Sequence, residues 1–332
     1  MQPRPKCFSF AVQKYLENKY GYNSEEQKEV VFEAVADLVG KKEGVECFIS
    51  TEDISFVGNL IHKHYETIKE NLNQNKKEKE EGKKKDLTKL FKGINVKKEL
   101  NDARKQAEKE NGIIIPAIID LFGRMSTSDV IKSVDSSIEV ANAMSTHEVV
   151  KEWDYFTAVD DIAEKELNGG AAHLDQTEFN SSCYYGYVKF SINQFCKNLN
   201  ENVFNEEYKE KALKGVVDAL LTTICFDNPE TKKTGFAYSA VPECLLVVVK
   251  NKDRRMNLAN AFANAIEYEN GNLIKKSVEK LSNEYDGVKK AYGTDDQVAF
   301  WLAPKFEDIT PISAEKITSL NELIEKIGVY IE

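Results

Sequence analysis

The chain has 332 residues, 42% of them hydrophobic, and its 45 Lys+Arg against 55 Asp+Glu give a net charge of −10. That length supports one large or two ordinary domains with a real core, and 17 Gly with 7 Pro exclude collagen-like and low-complexity classes. No apolar run reaches the ~18 residues of a membrane helix, and the global charge argues against a polyanion partner.

The opening MQPRPKCFSF carries no long apolar run, so a signal peptide is not expected and the cytoplasm is. Ser24-x-x-Gln27 reads as a capping box, opening a helix with Val31, Ala34, Val35 and Leu38 on its apolar face. A second helix carries Ile54, Val57, Ile61, Ile68 and Leu72 at a period near 3.6. Composition then shifts. Residues 76–110 hold thirteen Lys/Arg and eight Asp/Glu, a local +5 that leaves −15 on the rest. This stretch reads as a solvated helical segment. Within it Lys85, Lys89 and Lys92 fall at i, i+4 and i+7, one cationic ridge on a helix and a spacing suited to phosphates.

From Gly112 the chain turns strongly apolar as far as Phe122-Gly123-Arg124-Met125. A short helix is expected next, with Ile138, Ala141 and Met144 inward. Val149 to Val159 alternates like a strand, and a Gly169-Gly170 loop leads to a second alternating run, Thr177 to Phe190. Its Tyr184-Tyr185-Gly186-Tyr187-Val188-Lys189-Phe190 faintly echoes the aromatic strand of RNA-recognition sheets. Ser191-x-x-Gln194 caps another helix, a longer one covers about 205–225, and Lys232-Lys233 form a basic loop tip. Cys244 to Lys250 reads as a buried strand. Helices near 257–267 and 272–290, a strand at Val298–Leu302 and a helix from Ser319 to Tyr330 follow. Strands and helices mix without regular alternation, which indicates an α+β fold.

Catalytic signatures are missing. No phosphate loop, dinucleotide fingerprint, nucleophile elbow or zinc-protease motif occurs. The six cysteines form no C-x-x-C pair and read as small buried residues in a reducing compartment. His62 and His64, two apart, face different sides of a helix, so no metal site is expected. Asp160-Asp161 suits a turn better than an acid/base pair.

Five segments in order carry a resemblance: Phe122-Gly123-Arg124-Met125, Ser145-Thr146-His147-Glu148-Val149, Asp154 to Ile162 (DYFTAVDDI), Ala172-His173-Leu174 and Thr177 to Ser181 (TEFNS). Together they resemble the CasC backbone subunits of the type I-E CRISPR surveillance complex, Cascade, over roughly residues 113 to 332.

The resemblance implies a hand-shaped α+β protein. Its palm is a modified RNA-recognition (ferredoxin-like) sheet, its fingers are a helical insertion at 24–112, and its thumb is a β-hairpin at 149–181. Palm segments would cover 1–23, 113–148 and, with C-terminal helices, 182–332. Copies would polymerise along CRISPR RNA beside other Cascade subunits and present it to target DNA. A separate helicase-nuclease would cut, and the subunit itself would need no catalytic set, cofactor or metal.

By position, Met125 and Phe156 would wedge beside a displaced nucleotide and Leu174 would sit at the thumb tip. Arg124 and Thr157 would join the guide site, and the Lys232-Lys233 tip is a further candidate. Lys85, Lys89 and Lys92 would contact target DNA. The family's guide-gripping segment aligns with Arg4 to Lys14, where only Lys6, Ser9 and Lys14 carry over; the family's first strand is absent or the start is truncated. Asp175 and Gly186 replace a Gly and an Arg of the family pattern. Two other readings remain open: a type III-like subunit that cleaves guide-paired RNA, and a helical protein–protein adaptor without nucleic acid. Under the resemblance, the charge of −10 describes a solvated outer surface with local basic faces.

Overall fold

The computed structural model describes residues 8–39, 49–80, 90–111, 117–126, 133–158, 173–202, 206–227, 240–267, 272–293 and 296–331. The chain divides into two compact units, Met1–Glu139 with Phe190–Leu220 and Ile331–Glu332, and Val140–Lys189 with Leu221–Tyr330.

The first unit is helical. Helices α1 (Phe8–Tyr20), α2 (Glu25–Val39), α3 (Thr51–Lys63), α4 (Tyr65–Glu80) and α5 (Val96–Asn111) enclose one apolar core. Val12 and Leu16 of α1, Val31 and Ala34 of α2 and Ile61 of α3 are fully buried there. Each such aliphatic side chain contributes about 1.5–3 kcal/mol by leaving water. Gly58 lets α1 and α3 approach, since a Cβ there would sit 2.6 Å from the Tyr15 ring.

Caps define the helix starts. Gln27 N–H donates to Ser24 Oγ at 3.2 Å while Ser24 N–H donates to Gln27 Oε1 at 3.1 Å, the capping box the sequence indicates. Ser50 and Asp53 form a second box at α3. The stripe from Ile54 to Leu72 is divided between two helices, because the chain leaves helical geometry at His64 (φ −111°, ψ 20°) and restarts at Tyr65. Lys92 lies in a turn at residues 90–93, not on the expected helix: Leu90 and Phe91 are buried, Leu90 N–H donates to Asp37 Oδ2 at 2.8 Å, and Gly93 takes φ +86°. Burial of the two apolar neighbours and the Asp37 contact outcompete helix propensity there.

Helix α6 (Ala117–Phe122) follows in the same unit. The segment expected to be helical around Ile138 and Met144 is extended, as β1 (Ile138–Val140) and β2 (Met144–Ser145). Its backbone is taken by sheet-like partners, with Ala141 N–H on Tyr187 O at 2.9 Å, and two β-branched residues in β1 favour that outcome.

The second unit contains the antiparallel hairpin of β3 (Glu152–Ala158) and β4 (His173–Phe179). The alternating run expected to 190 stops at Phe179. Beyond it lie two shorter strands, β5 (Tyr184–Tyr185), paired with β2, and β6 (Val188–Phe190). Helix α7 (Ile192–Asn202), and α8 (Glu206–Phe226) as far as Leu220, belong to the first unit, and Gln194 N–H donates to Ser191 Oγ at 3.3 Å.

Among the described residues, strand β7 (Leu245–Lys250) lies at the edge of its sheet and is half-buried along its length rather than fully buried. It pairs antiparallel with β8 (Asp296–Leu302), which pairs in parallel with β9 (Glu315–Lys316). Helix α9 (Leu273–Tyr292) covers this sheet through Val278, Leu281 and Tyr285, and α10 (Leu320–Gly328) starts at an Ser319 cap. Trp301 is buried, and its indole donates to Ile309 O at 2.8 Å. Residues 257–267 form only a short 3-10 turn at Ala259–Phe262, because the far end of the segment is drawn into extended pairing, with Ile266 N–H donating to Thr146 O at 3.1 Å and Ile266 O accepting from Glu148 N–H at 3.4 Å.

Candidate nucleic-acid interface

Helix α6 ends at Gly123, whose φ of +76° favours glycine. Space requires it as well, since a Cβ there would meet Ser136 N at 2.7 Å and Val134 O at 2.8 Å. Arg124 then exchanges both backbone hydrogen bonds with Val134, at 2.8 Å each. Its guanidinium turns inward and donates through Nη1 to Asp53 Oδ2 at 2.7 Å, with the two side chains 1% and 3% exposed. Nearby Arg104 has its pKa lowered by burial, an effect Asp53 opposes. Arg124, placed on the guide by resemblance, is therefore an interior residue that anchors this corner. A charge partner already satisfies it.

Met125, the next residue, is 74% exposed. The corner therefore holds a long, flexible apolar side chain in solvent from a backbone pinned on its preceding residue. Ile118 and Phe122, one helical turn apart on α6, are also exposed, while Ile119 between them is buried. Sequence reading missed this pair because the apolar run looks like core; the i, i+4 spacing was the available signal.

The hairpin presents the other apolar side chains. Thr157 lies opposite Leu174 and Phe156 opposite Asp175. In antiparallel pairing, facing residues share a side of the ribbon, so Trp153, Tyr155, Thr157 and Leu174 form one face and Phe156 with Phe179 the other. Phe156 and Leu174 thus project from opposite faces. Both faces meet solvent: Trp153, Tyr155, Phe156 and Leu174 are exposed, and so is Thr157. Among the described residues this sheet has two strands, a ribbon that is marginal in water by itself, and its aromatics form exposed apolar surface.

On α1, Ser9 is half-buried and Lys14 is exposed, with its ammonium 5.3 Å from the centre of the exposed Phe10 ring. Lys92 is exposed on its turn. Lys6, Lys85, Lys89, Lys232 and Lys233 lie outside the described residues, as does Asp160-Asp161.

Thr146 and His147 belong to the interior of the second unit. Cys183 N–H donates to His147 Nε2 at 3.1 Å, which leaves Nδ1 protonated to donate to Glu148 O at 2.6 Å. Thr146 Oγ1 and Ser277 Oγ share a hydrogen bond of 2.8 Å. These residues of the recurring pattern support the fold. His62 stacks on Tyr20 with ring centroids 3.7 Å apart, whereas His64 reaches Glu99 at 3.0 Å, so the two histidines do diverge.

Among the described residues, no group of three or more His, Cys, Asp or Glu is arranged to hold a metal. Burial raises the thiols of Cys196 and Cys225, and it pushes Cys244 up to about 12. Such thiols are poor nucleophiles at neutral pH. No described helix is long and apolar enough to cross a membrane.

Among the solved structures that resemble the chain are two from CRISPR RNA-guided surveillance complexes. One, from a "CRISPR RNA-guided surveillance complex, pre-nicking", shares 18% identity at a TM-score of 0.69, covering 100% of this chain and 84% of that one. Another, from a "CRISPR RNA-guided surveillance complex", shares 21% identity at a TM-score of 0.56, covering 70% and 84%. No curated protein sequence matches. The model of one protein family, described as CT1975-like protein, matches residues 4–326, nearly the whole chain. This protein belongs to the CT1975-like family.

Proposed function

We propose that this chain is a non-catalytic backbone subunit of a type I-E CRISPR surveillance complex, polymerising along CRISPR RNA and presenting it to target DNA. The observation that carries this reading is the hairpin, with Trp153, Tyr155 and Leu174 exposed on one face and Phe156 exposed on the other. Exposed aromatics on a ribbon can stack on or wedge between bases irrespective of sequence, and that property suits a subunit repeated along any guide. Met125, on its pinned corner, would be a second wedge.

On this reading the helical first unit includes the fingers, β3–β4 is the thumb, and the remaining strands belong to a modified RNA-recognition palm. Further copies of the chain, other complex subunits and, indirectly, a helicase-nuclease are its partners. The likeness to surveillance-complex chains and the family match support it.

The test is purification followed by extraction of bound nucleic acid. A uniform short RNA is the expected result; a protein free of nucleic acid, when expressed beside a CRISPR array and the other subunits, overturns the reading. Incubation of the loaded complex with guide-complementary RNA and a divalent metal should leave that RNA intact. Cuts at regular intervals would replace the scaffold with an RNA-cleaving subunit.

A further inference from the structure

Helix α5 carries Leu100 and Arg104 at i and i+4, one above the other on the same face. Leu100 is buried in the helical core, so that face carries the arginine inward with it. Glu99, beside Leu100, fixes the helix to the end of α3 through Lys63 at 2.8 Å and His64 at 3.0 Å. Arg104 is half-buried as a result. Its Nε is shut off from solvent and has no hydrogen-bond partner among the described residues, while the residue as a whole keeps some exposed surface.

The neighbouring carboxylate does not complete it. Asp53 Oδ2 already accepts from Ser50 N–H at 3.2 Å and from Arg124 Nη1 at 2.7 Å. Burial lowers the pKa of Arg104, Asp53 opposes that and Arg124 adds to it, so the three groups share one corner. A guanidinium keeps its proton in spite of such a shift, and the half-buried group is therefore a cation. A cation held partly out of water with a donor unfilled is costly unless an anion meets it. The same corner projects Met125, 74% exposed, from the residue after Arg124.

We propose that Arg104 is a phosphodiester contact for single-stranded RNA at the Met125 corner. It rests on the RNA-binding reading above and adds a charged contact to the apolar one. A strand seated against Met125 brings one phosphate past the corner for every nucleotide, and a planar guanidinium suits its paired oxygens. Because Arg104 is already half-buried, part of its rotamer freedom is lost before the strand arrives. The contact reads the backbone alone and carries no sequence preference.

The experiment measures binding of the full-length protein to a fluorescent single-stranded RNA across a salt series, with a urea unfolding curve for each protein. Wild type is compared with R104M, which keeps an apolar stem and removes the charge, with R104K and with M125A. R104M should weaken binding about tenfold to a hundredfold, the share of one hydrogen bond to a charged group. It should also reduce the slope of log affinity against log salt by about 0.7, one phosphate on a single strand. Its urea midpoint should equal or exceed that of wild type, because Asp53 keeps Arg124. R104K restores the charge and should return the slope to the wild-type value, whereas M125A should weaken binding at an unchanged slope. A wild-type slope in R104M, or an R104K slope as low as that of R104M, overturns this site while the RNA-binding reading stands. A large fall in the R104M midpoint assigns Arg104 to the fold and overturns the site as well. Loss of another complex subunit with RNA binding intact overturns it in favour of an acidic protein contact. Wild-type protein that binds no RNA overturns both.

Discussion

Arg124 Nη1 lies 2.7 Å from Asp53 Oδ2 across 71 residues of chain, and neither side chain meets solvent to any useful extent. Asp53 also accepts from Ser50 N–H at 3.2 Å, so one carboxylate caps α3 and holds the corner that projects Met125. Removing one partner of a buried pair leaves an uncompensated charge and costs about 3–5 kcal/mol. Arg124→Ala and Asp53→Ala should therefore each lower the urea midpoint sharply. If Arg124→Ala leaves stability unchanged and weakens only RNA binding, Arg124 belongs to the ligand site after all.

That pair also shows which part of the site could be read from the sequence. An arginine in a recurring Gly-Arg-Met pattern looks like a phosphate ligand, and nothing local reveals a partner 71 residues away. Met125 and Phe156, which the resemblance makes apolar wedges, are both exposed. What was legible depended on short range. The Ser24–Gln27 box spans three residues and forms as its spacing indicates. The break at His64 and the extended course near Ile138 depend on tertiary partners that override periodicity. The helical ridge at Lys92 fails for the same reason, because Leu90 and Phe91 are drawn into the core.

Gly123 offers a test of the corner that leaves every charge in place. Gly123→Ala puts a β-carbon at φ +76° and within 2.8 Å of two backbone atoms. A non-glycine residue in that region costs about 1–2 kcal/mol before any clash. The variant should lose thermal stability, whereas Met125→Ala, at a side chain 74% exposed, should melt as wild type and loosen guide or target register. Unaltered protection of the guide from nuclease in Met125→Ala removes its wedge role.

Phe156 and Leu174 occupy opposite faces of the hairpin, with Asp175 and Thr157 as their respective cross-strand partners. Phe156→Ala and Leu174→Ala should each leave the protein folded and each reduce guide protection. Their side chains leave opposite faces of the ribbon, so the double variant should show the sum of the two effects within about 0.5 kcal/mol. A marked departure from additivity would mean that one ligand group bridges both side chains.

The lysines at 85, 89 and 92 test the target-DNA part of the proposal. Changing all three to Ala should weaken binding of duplex target and flatten its salt dependence by up to ~3 phosphate contacts' worth. Lys92, exposed on its own turn, should contribute separately rather than as part of a ridge. An unchanged slope makes all three ordinary surface.

Glu99 of α5 receives Lys63 Nζ at 2.8 Å and His64 Nε2 at 3.0 Å, which ties α5 to the residues where α3 ends. The Lys63 hydrogen bond, then the His64 one, hold its carboxyl below the ordinary value of 4.5. A carboxyl depressed in the folded state gives stability that is present above its unfolded pKa and is lost as pH falls through the folded one. The tie should therefore be at full strength at neutral pH and weaken below about 4.5. Glu99→Gln should lower the melting temperature modestly at neutral pH and match wild type in acid, because half-exposed pairs of this kind contribute only ~1 kcal/mol or less. The comparison is a melting series for both proteins from neutral pH down through the carboxylate range. A constant difference at every pH would assign the effect to lost packing rather than to charge.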